Sequence, residues 1–211
     1  MVSRRDESSV IFNVVWTGTT FTYLRYFVAS QMAHTAARYR FVANGCPPEQ
    51  VQPMEDFASR HPQVVEVLDV SAEMVAHGVA LDRVRAQRDA GPSFSPIDPD
   101  IKANAPFVGE FLAVLEDHEA VTSGREVWSS DNLVPPDHPG VAGEFFFDRD
   151  GFVFGSPHLA LYRADALAET TSRWGVGLGS AGPEPVSYTH LRAHETSLHL
   201  VCRLLLEKRT Q

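Results

Sequence analysis

The stretch Val10–Met32, "VIFNVVWTGTTFTYLRYFVASQM", decides the fold. Its opening run, VIFNVVWT, is short, apolar and rich in β-branched residues. Such a run, without polar alternation, marks a strand buried on both faces. The residues GTT then make a loop. After them Phe21, Leu24, Phe27, Val28 and Met32 recur at helical spacing, with Thr20 or Thr22 placed as the cap. One strand–loop–helix unit is therefore legible near the start of the chain.

The same unit repeats outward from it. RYRFVANG, Arg38–Gly45, reads as a second strand ending in a turn signal. Residues 49–60 fit a short helix with Val51, Met54 and Phe57 on one side. VVEVLDVS, Val64–Ser71, is a third strand. Ser71 is expected to cap a helix running to about Arg88 through Met74, Val75, Val79 and Val84. GPSFSPIDPDIKA, residues 91–103, reads as a fourth strand passing into a loop. Residues 106–117 follow as an amphipathic helix with Pro106 at its first position. A fifth strand is expected over residues 120–128, then a long Pro-rich loop over 129–143 and two short strands over 144–155. Residues 157–174 read as a strand entering a helix. Alternation of this kind implies an α/β fold with a mainly parallel sheet and helices on both faces.

The C-terminal stretch VSYTHLRAHETSLHLVCRLLLEK, residues 186–208, places His190, His194, His199 and Cys202 at metal-ligand spacing. It also resembles the translation of a transposase-based sequencing adapter. VSYTHLRAHET matches one reading frame, Ser197 and Leu198 fall at the variable index, and LVCRLLLEK matches the continuation. The resemblance implies a non-native tail at 185–211 and a domain that is incomplete at its C-terminus, here 10–184 after a polar leader at 1–9. On that expectation the histidine cluster carries no chemistry.

The whole chain has a net charge of −9. Setting aside Arg192, Arg203, Lys208, Arg209, Glu195 and Glu207 makes it about −11. That balance argues against binding a nucleic-acid backbone, which requires a basic face. Outside the tail Cys46 stands alone, so no disulfide framework forms and a cytoplasmic location is expected. Cys46 itself reads as a small core or loop residue. No stretch reaches transmembrane length, and no signal-peptide apolar run follows the charged N-terminus.

Chemistry concentrates at Asp98-Pro99-Asp100. In an extended chain residues two apart face the same way, and Pro99 biases Asp98 toward extended geometry. Two carboxylates are then expected to project together past the end of the fourth strand, the edge where open α/β sheets bind ligands. Paired carboxylates suit Mg²⁺ or Mn²⁺, which can bridge a diphosphate and stabilise it as a leaving group. The plain alternative is a solvated turn that ends a strand.

With these residues in place, the chain from 10 to about 184 resembles a GT-A-type, family-2-like nucleotide-sugar glycosyltransferase. The resemblance rests on VIFNVVWTGTT, RYRFVANG, VVEVLDVS and HGVALDRVRAQ leading into FSPIDPDI. It implies a Rossmann-type three-layer sandwich. It also implies a metal-dependent transfer of sugar from a nucleotide diphosphate to an unidentified acceptor hydroxyl. Asp98 and Asp100 fall on the family's D-x-D, which holds the metal and the sugar-nucleotide diphosphate. Trp16, Thr17 and Gly18 fall where the family contacts the nucleoside, with Trp16 placed either to stack on a base or to fill the core. Asp69 falls where a carboxylate meets base or ribose, or else caps a loop. Asp82 and Arg85 fall on the helix that reaches the nucleotide, or on a merely exposed face. His158 falls on the acceptor side, as an acceptor contact or third metal ligand. Glu126, Trp128, Asp148 and Asp150 are further acceptor-cleft positions.

The sequence also departs from the family. Pro96 sits inside the fourth strand. No Glu-Asp pair supplies the usual catalytic base, which is expected near or beyond Glu184. Two other readings remain. A nucleotidyltransferase would show a Gly-rich, basic loop after the first strand, whereas Gly18 stands alone and the first basic residue there is Arg25. A noncatalytic nucleotide-sugar-binding or scaffold protein would show no metal-dependent donor binding.

Overall fold

The computed structural model describes residues 6–88, 91–122, 159–174 and 177–178. A short 3-10 helix, Glu7–Ser9, leads into β1, Ile11–Thr17. Then come α1 (Phe21–Ala33), β2 (Arg38–Asn44), α2 (Pro48–Arg60), β3 (Val64–Ser71) and α3 (His77–Gln87). β4 (Ser93–Pro96), α4 (Val108–Leu115), β5 (Ala120–Thr122), β6 (Ala160–Arg163) and α5 (Ala164–Trp174) complete the described part. The strands form one sheet in the order β3-β2-β1-β4-β6-β5. The three pairings among β1 to β4 are parallel, whereas β6 runs antiparallel to both β4 and β5.

The alternation of side chains along β1 divides the core. Val10, Phe12, Val14 and Trp16 pack with Phe21, Val28 and Met32 of α1, Met54 and Phe57 of α2, and Val108, Phe111 and Leu115 of α4. Val15 faces the other way, with Val42, Leu68, Val70, Ala80, Leu81 and Val84 of α3, and Leu167 of α5. Helices thus cover both faces, which is the expected three-layer α/β sandwich with a mainly parallel sheet.

Several boundaries differ from expectation for local reasons. The helix expected to start at Ser71 starts at His77, because residues 72–76 form a loop held against the sheet. Thr20 does occupy the N-cap of α1, but its hydroxyl donates to the Thr17 carbonyl at 2.9 Å instead of capping the helix. α4 starts at Val108, so Pro106 lies ahead of it. Pro96 is tolerated as the last residue of β4, because Ile97 makes the next donation to β1, to the Asn13 carbonyl at 3.2 Å. The strands expected at 123–128 and 144–155 lie outside the described residues.

One feature near the N-terminal ends of the strands was not foreseen. Arg40 and Asn13 are buried within the sheet. Arg40 donates through Nε to Glu66 at 2.6 Å and through a terminal nitrogen to Asn13 Oδ1 at 2.9 Å. Arg88 donates to the same carboxylate at 2.9 Å. Burial pushes the Glu66 carboxyl up, but the hydrogen bonds and charges of Arg88 and Arg40 outweigh it and hold its pKa below the usual value.

Candidate active site

The chain reverses direction across the sheet between β1 and β4. β1 leads outward to β2 and β3, and the crossover through α3 then returns to β4 on the other side of β1. In open α/β sheets the crevice at such a point, beyond the carboxyl ends of the strands, takes ligands. Thr17, Asn44 and Ser71 lie side by side there, since Thr17 pairs with Asn44 and Asn44 with Ser71. Thr17 ends β1 and Gly18 follows it with φ of 51°, in the left-handed region glycine favours. A Cβ on Gly18 would meet nothing within 4 Å, so the backbone conformation and not space is what favours glycine here.

The Asp98-Pro99-Asp100 segment follows directly on β4. It does not take the extended geometry expected of it. Residues 98–101 form a β-turn with Pro99 second, closed by a long 3.4 Å bond from the Ile101 N–H to the Asp98 carbonyl. The fixed φ of proline suits that position, and the turn outcompetes extension. The carboxylates therefore occupy the first and third positions of a turn. Asp98 is partly enclosed, with 23% of its side chain exposed, and Asp100 is exposed.

α1 holds this turn in place. Gln31, fully buried, donates to the Ile101 carbonyl at 2.7 Å and to the Asp98 carbonyl at 3.3 Å. Its Oε1 finds no partner among the described residues. Ser30 Oγ accepts from the Ala103 N–H at 3.2 Å. Gln31 lay in view of sequence reasoning, since it sits three residues past Val28 on the apolar stripe of α1. A polar residue on a buried stripe signals a specific partner.

From the opposite side, Asn44 grips the β3–α3 loop. Its amide nitrogen donates to the Val75 carbonyl and its oxygen accepts from the Val75 N–H, both at 2.9 Å. Gly45, at φ of 65°, donates to the Ser71 carbonyl at 2.8 Å. A Cβ there would collide with the Met74 backbone. This loop delivers His77 to the start of α3, where its Nε2 stands 4.0 Å from Asp98 Oδ1. His77 carries no motif in the sequence, and only the fold brings it to Asp98.

The remaining candidates are placed as follows. Trp16 is fully buried, edge-on to Phe21 and Phe41 with ring centroids at 4.9 and 5.4 Å. Of its two readings, this is the core aromatic, because no ring face is open to a base. Asp69 is exposed and accepts from the Ser71 N–H at 3.1 Å, shaping the end of β3. Asp82 accepts from the Leu178 N–H at 2.9 Å, and Arg85 donates to Thr171 Oγ1 at 3.2 Å. Both tie α3 to α5 and the segment after it. Cys46 Sγ donates to the Trp16 carbonyl at 3.2 Å, and burial pushes its thiol pKa up, which keeps it a structural hydrogen-bond donor. His158, Glu184, Glu126, Trp128, Asp148, Asp150 and the whole 185–211 tail lie outside the described residues.

Among the described residues no group of three His, Cys, Asp or Glu is arranged to hold a metal, and no helix is long and apolar enough to cross a membrane. A hard cation usually takes one or two carboxylates and completes its shell with water and substrate phosphates. The donor set at 98–100 fits that description. A separate cleft of about 630 Å³, lined by Ser9, Pro92, Leu112, Leu115, Arg163 and Asp165 among others, lies away from these carboxylates. It opens where β4 begins, far from the carboxyl ends of the strands, so it is not the site argued here.

No protein-family model matches the chain, and no curated protein matches it in sequence. Solved structures do resemble it. The mannosyltransferase PcManGT from Pyrobaculum calidifontis, in complex with GDP-Man and Mn²⁺, aligns with a TM-score of 0.55 at 11% identity, covering 79% of this chain and 47% of that one. TarS from S. aureus, in complex with UDP, aligns at 0.49 and 15% identity, covering 82% and 52%. The 4-diphosphocytidyl-2C-methyl-D-erythritol synthase from Anaerococcus prevotii aligns at 0.47 and 9% identity, covering 79% and 75%. At these identities the likeness is one of fold, and the chain spans about half the length of the mannosyltransferase.

Proposed function

We propose that this chain forms the nucleotide-sugar-binding part of a metal-dependent glycosyltransferase. One observation carries the reading. Asp98 and Asp100 stand on the turn that ends β4, at the carboxyl edge of the sheet where strand order reverses, in a fold like that of a mannosyltransferase seen with GDP-Man and Mn²⁺. In this reading the two carboxylates hold Mn²⁺ or Mg²⁺ against the donor diphosphate. The bound cation supplies the positive charge that stabilises the departing nucleotide diphosphate.

The chain's own residues prepare that step. Gly18, next to Thr17, lies where the nucleoside would sit, and Asp69 offers a carboxylate near the end of β3, two strands away. Gln31 and Ser30 fix the turn, so the carboxylates need little reordering when the donor arrives. Trp16 supports the floor of the site from within the core. Asp82 and Arg85 support it through α5. Deprotonation of the acceptor hydroxyl falls to a group outside the described residues, with Glu184 as a candidate and His158 on the acceptor side.

The test is binding of UDP- and GDP-sugars by calorimetry, with and without Mn²⁺. The reading expects Mn²⁺ to strengthen binding of one donor, and Asp98→Ala or Asp100→Ala to abolish the gain. Donor binding that ignores both the cation and the carboxylates removes the metal from this site. Absence of donor binding under all conditions leaves a scaffold protein.

A further inference from the structure

We propose that Tyr23 and Tyr26, on one flank of α1, form a platform on which a sugar ring of the acceptor stacks. The proposal rests on the glycosyltransferase reading and names the acceptor's chemical class, a neutral carbohydrate. These are two of the four exposed large hydrophobic side chains among the described residues, at 72% and 66% exposure. Phe21, Val28 and Met32 of the same helix are buried, so the two rings stand on the side of α1 that the core does not use.

α1 sets both rings beside the carboxylate turn. Tyr26 stands four residues before Ser30, about one helical turn, and Tyr23 seven residues before it, close to two turns. All three therefore share one flank of the helix. At the Ser30 end that flank is covered, since Ser30 Oγ accepts from the Ala103 N–H at 3.2 Å and the segment following Asp100 lies against it. Next to Ser30, Gln31 holds the turn itself. Toward the start of α1, where the chain arrives from Thr17 and Gly18, the same flank is bare. A ligand laid on Tyr26 and Tyr23 thus abuts the segment that follows the two carboxylates and extends toward the carboxyl edge of the sheet.

One ring is also held ready. The Arg25 guanidinium lies over the Tyr26 ring, 5.1 Å from its centroid, and donates to its hydroxyl at 3.2 Å. That contact takes one ring face and leaves the other outward, so the ring has little freedom left to lose on binding. A tyrosine offers an apolar face to the C–H side of a pyranose and a hydroxyl to its O–H groups, with few side-chain torsions to fix. Size and charge favour a sugar over other occupants. Two such rings offer on the order of 300 Å², short of the roughly 800 Å² per partner in a stable protein interface. A membrane-surface helix carries a strongly basic face, whereas α1 has Arg25 alone, already engaged by Tyr26, in a chain of net charge −9.

An array of neutral oligosaccharides probed with the full chain, in Mn²⁺ with UDP or GDP, tests this, and calorimetry with the retained glycan measures it. Affinity should fall about tenfold or more when Tyr23→Ala and Tyr26→Ala are combined, and stay within about threefold when Tyr23→Phe and Tyr26→Phe keep both rings. Nucleotide affinity should not change in either double variant, and thermal melts confirm that both fold. Retention of no neutral glycan, or binding that the double alanine variant keeps, overturns the inference. Nucleotide binding that persists in that case leaves the glycosyltransferase reading standing. Binding to phosphatidylglycerol vesicles, or self-association in sedimentation, that the double alanine variant loses assigns the rings to a membrane surface or a second copy and likewise overturns it. If the chain takes neither nucleotide, the glycosyltransferase reading falls and the acceptor role falls with it.

Discussion

Asn44 binds Val75 through both ends of its amide, donating to the carbonyl and accepting from the N–H at 2.9 Å each. This pair closes the loop that carries the chain from β3 to α3. The Asn44 side chain is fully buried at the end of the sheet, and Val75 is half-buried. Asn44→Ala strands two backbone groups, so it should lower stability by about 2 kcal/mol in urea denaturation. Hydrogen exchange at Val75 should rise in the same variant. A loss under about 0.5 kcal/mol would mean the loop is held by something else.

Gly45 and Gly91 share a left-handed backbone, at φ of 65° and 66°, but differ in surroundings. Gly91→Ala meets open space and should cost only the left-handed strain, about 1–2 kcal/mol. Gly45→Ala meets the Met74 backbone as well and should cost clearly more. Equal losses in the two variants, compared by thermal denaturation, would show that the β3–α3 loop yields freely.

The Glu66 carboxyl, shared by Arg40 and Arg88, titrates below its usual value of 4.5 in the folded chain. A depressed folded pKa means that its contribution is fully present above the unfolded value. It is lost as pH falls from about 4.5 through the lower folded value. Glu66→Gln should therefore flatten the acid limb of a stability–pH curve in that window. An unchanged limb would place the acid sensitivity in other carboxylates. Arg40→Met should be the more damaging change at neutral pH, by roughly 1–3 kcal/mol, because it leaves the buried Asn13 Oδ1 without its donor while Arg88 still holds Glu66.

Trp16 fills the core beneath the site, and its indole N–H has no partner among the described residues. Trp16→Phe removes that donor and keeps an aromatic against Phe21 and Phe41. It should change stability modestly, whereas Trp16→Ala should cost roughly 3–5 kcal/mol for the cavity. Donor affinity in Trp16→Phe should stay at the wild-type value. A large loss of affinity in a well-folded Trp16→Phe protein would return the indole to the binding site.

Gly177 lies against the Asp82 carboxylate so closely that a Cβ would collide with it. Gly177→Ala should destabilise the wild-type chain and much less the Asp82→Ala chain. The double-mutant cycle should give a coupling well above the roughly 0.3–0.5 kcal/mol error of independent sites. Additive losses would separate the two residues energetically.

These particulars show where sequence reasoning reached and where it stopped. β1, β2 and β3 were legible to within a residue because buried parallel strands read as unbroken apolar runs. α2 was legible because Met54 and Phe57 recur at helical spacing. The start of α3 was not, because Ser71 resembles a cap while a distant side chain, Asn44, draws residues 72–76 into a loop. The position of Asp98 and Asp100 at the sheet edge followed from element order, but their geometry did not. Pro99 is compatible with both extension and a turn, and only the grip of Gln31 and the chain path decide between them. Arg40 and Glu66 meet across a strand register that local periodicity does not report. His77 reaches Asp98 through the crossover of a whole helix, a relationship that has no trace in spacing.

The bond from Gln31 to the Ile101 carbonyl joins residues 70 positions apart. Closing so long a loop is entropically unfavourable until enough of the fold exists to repay it. The turn bearing the two carboxylates therefore takes its shape only after α1 has docked on β1 and β4 has joined from the far side. The arrangement of the two carboxylates is thus a property of the finished core, and a nascent chain holds them in no fixed relation before that core has closed.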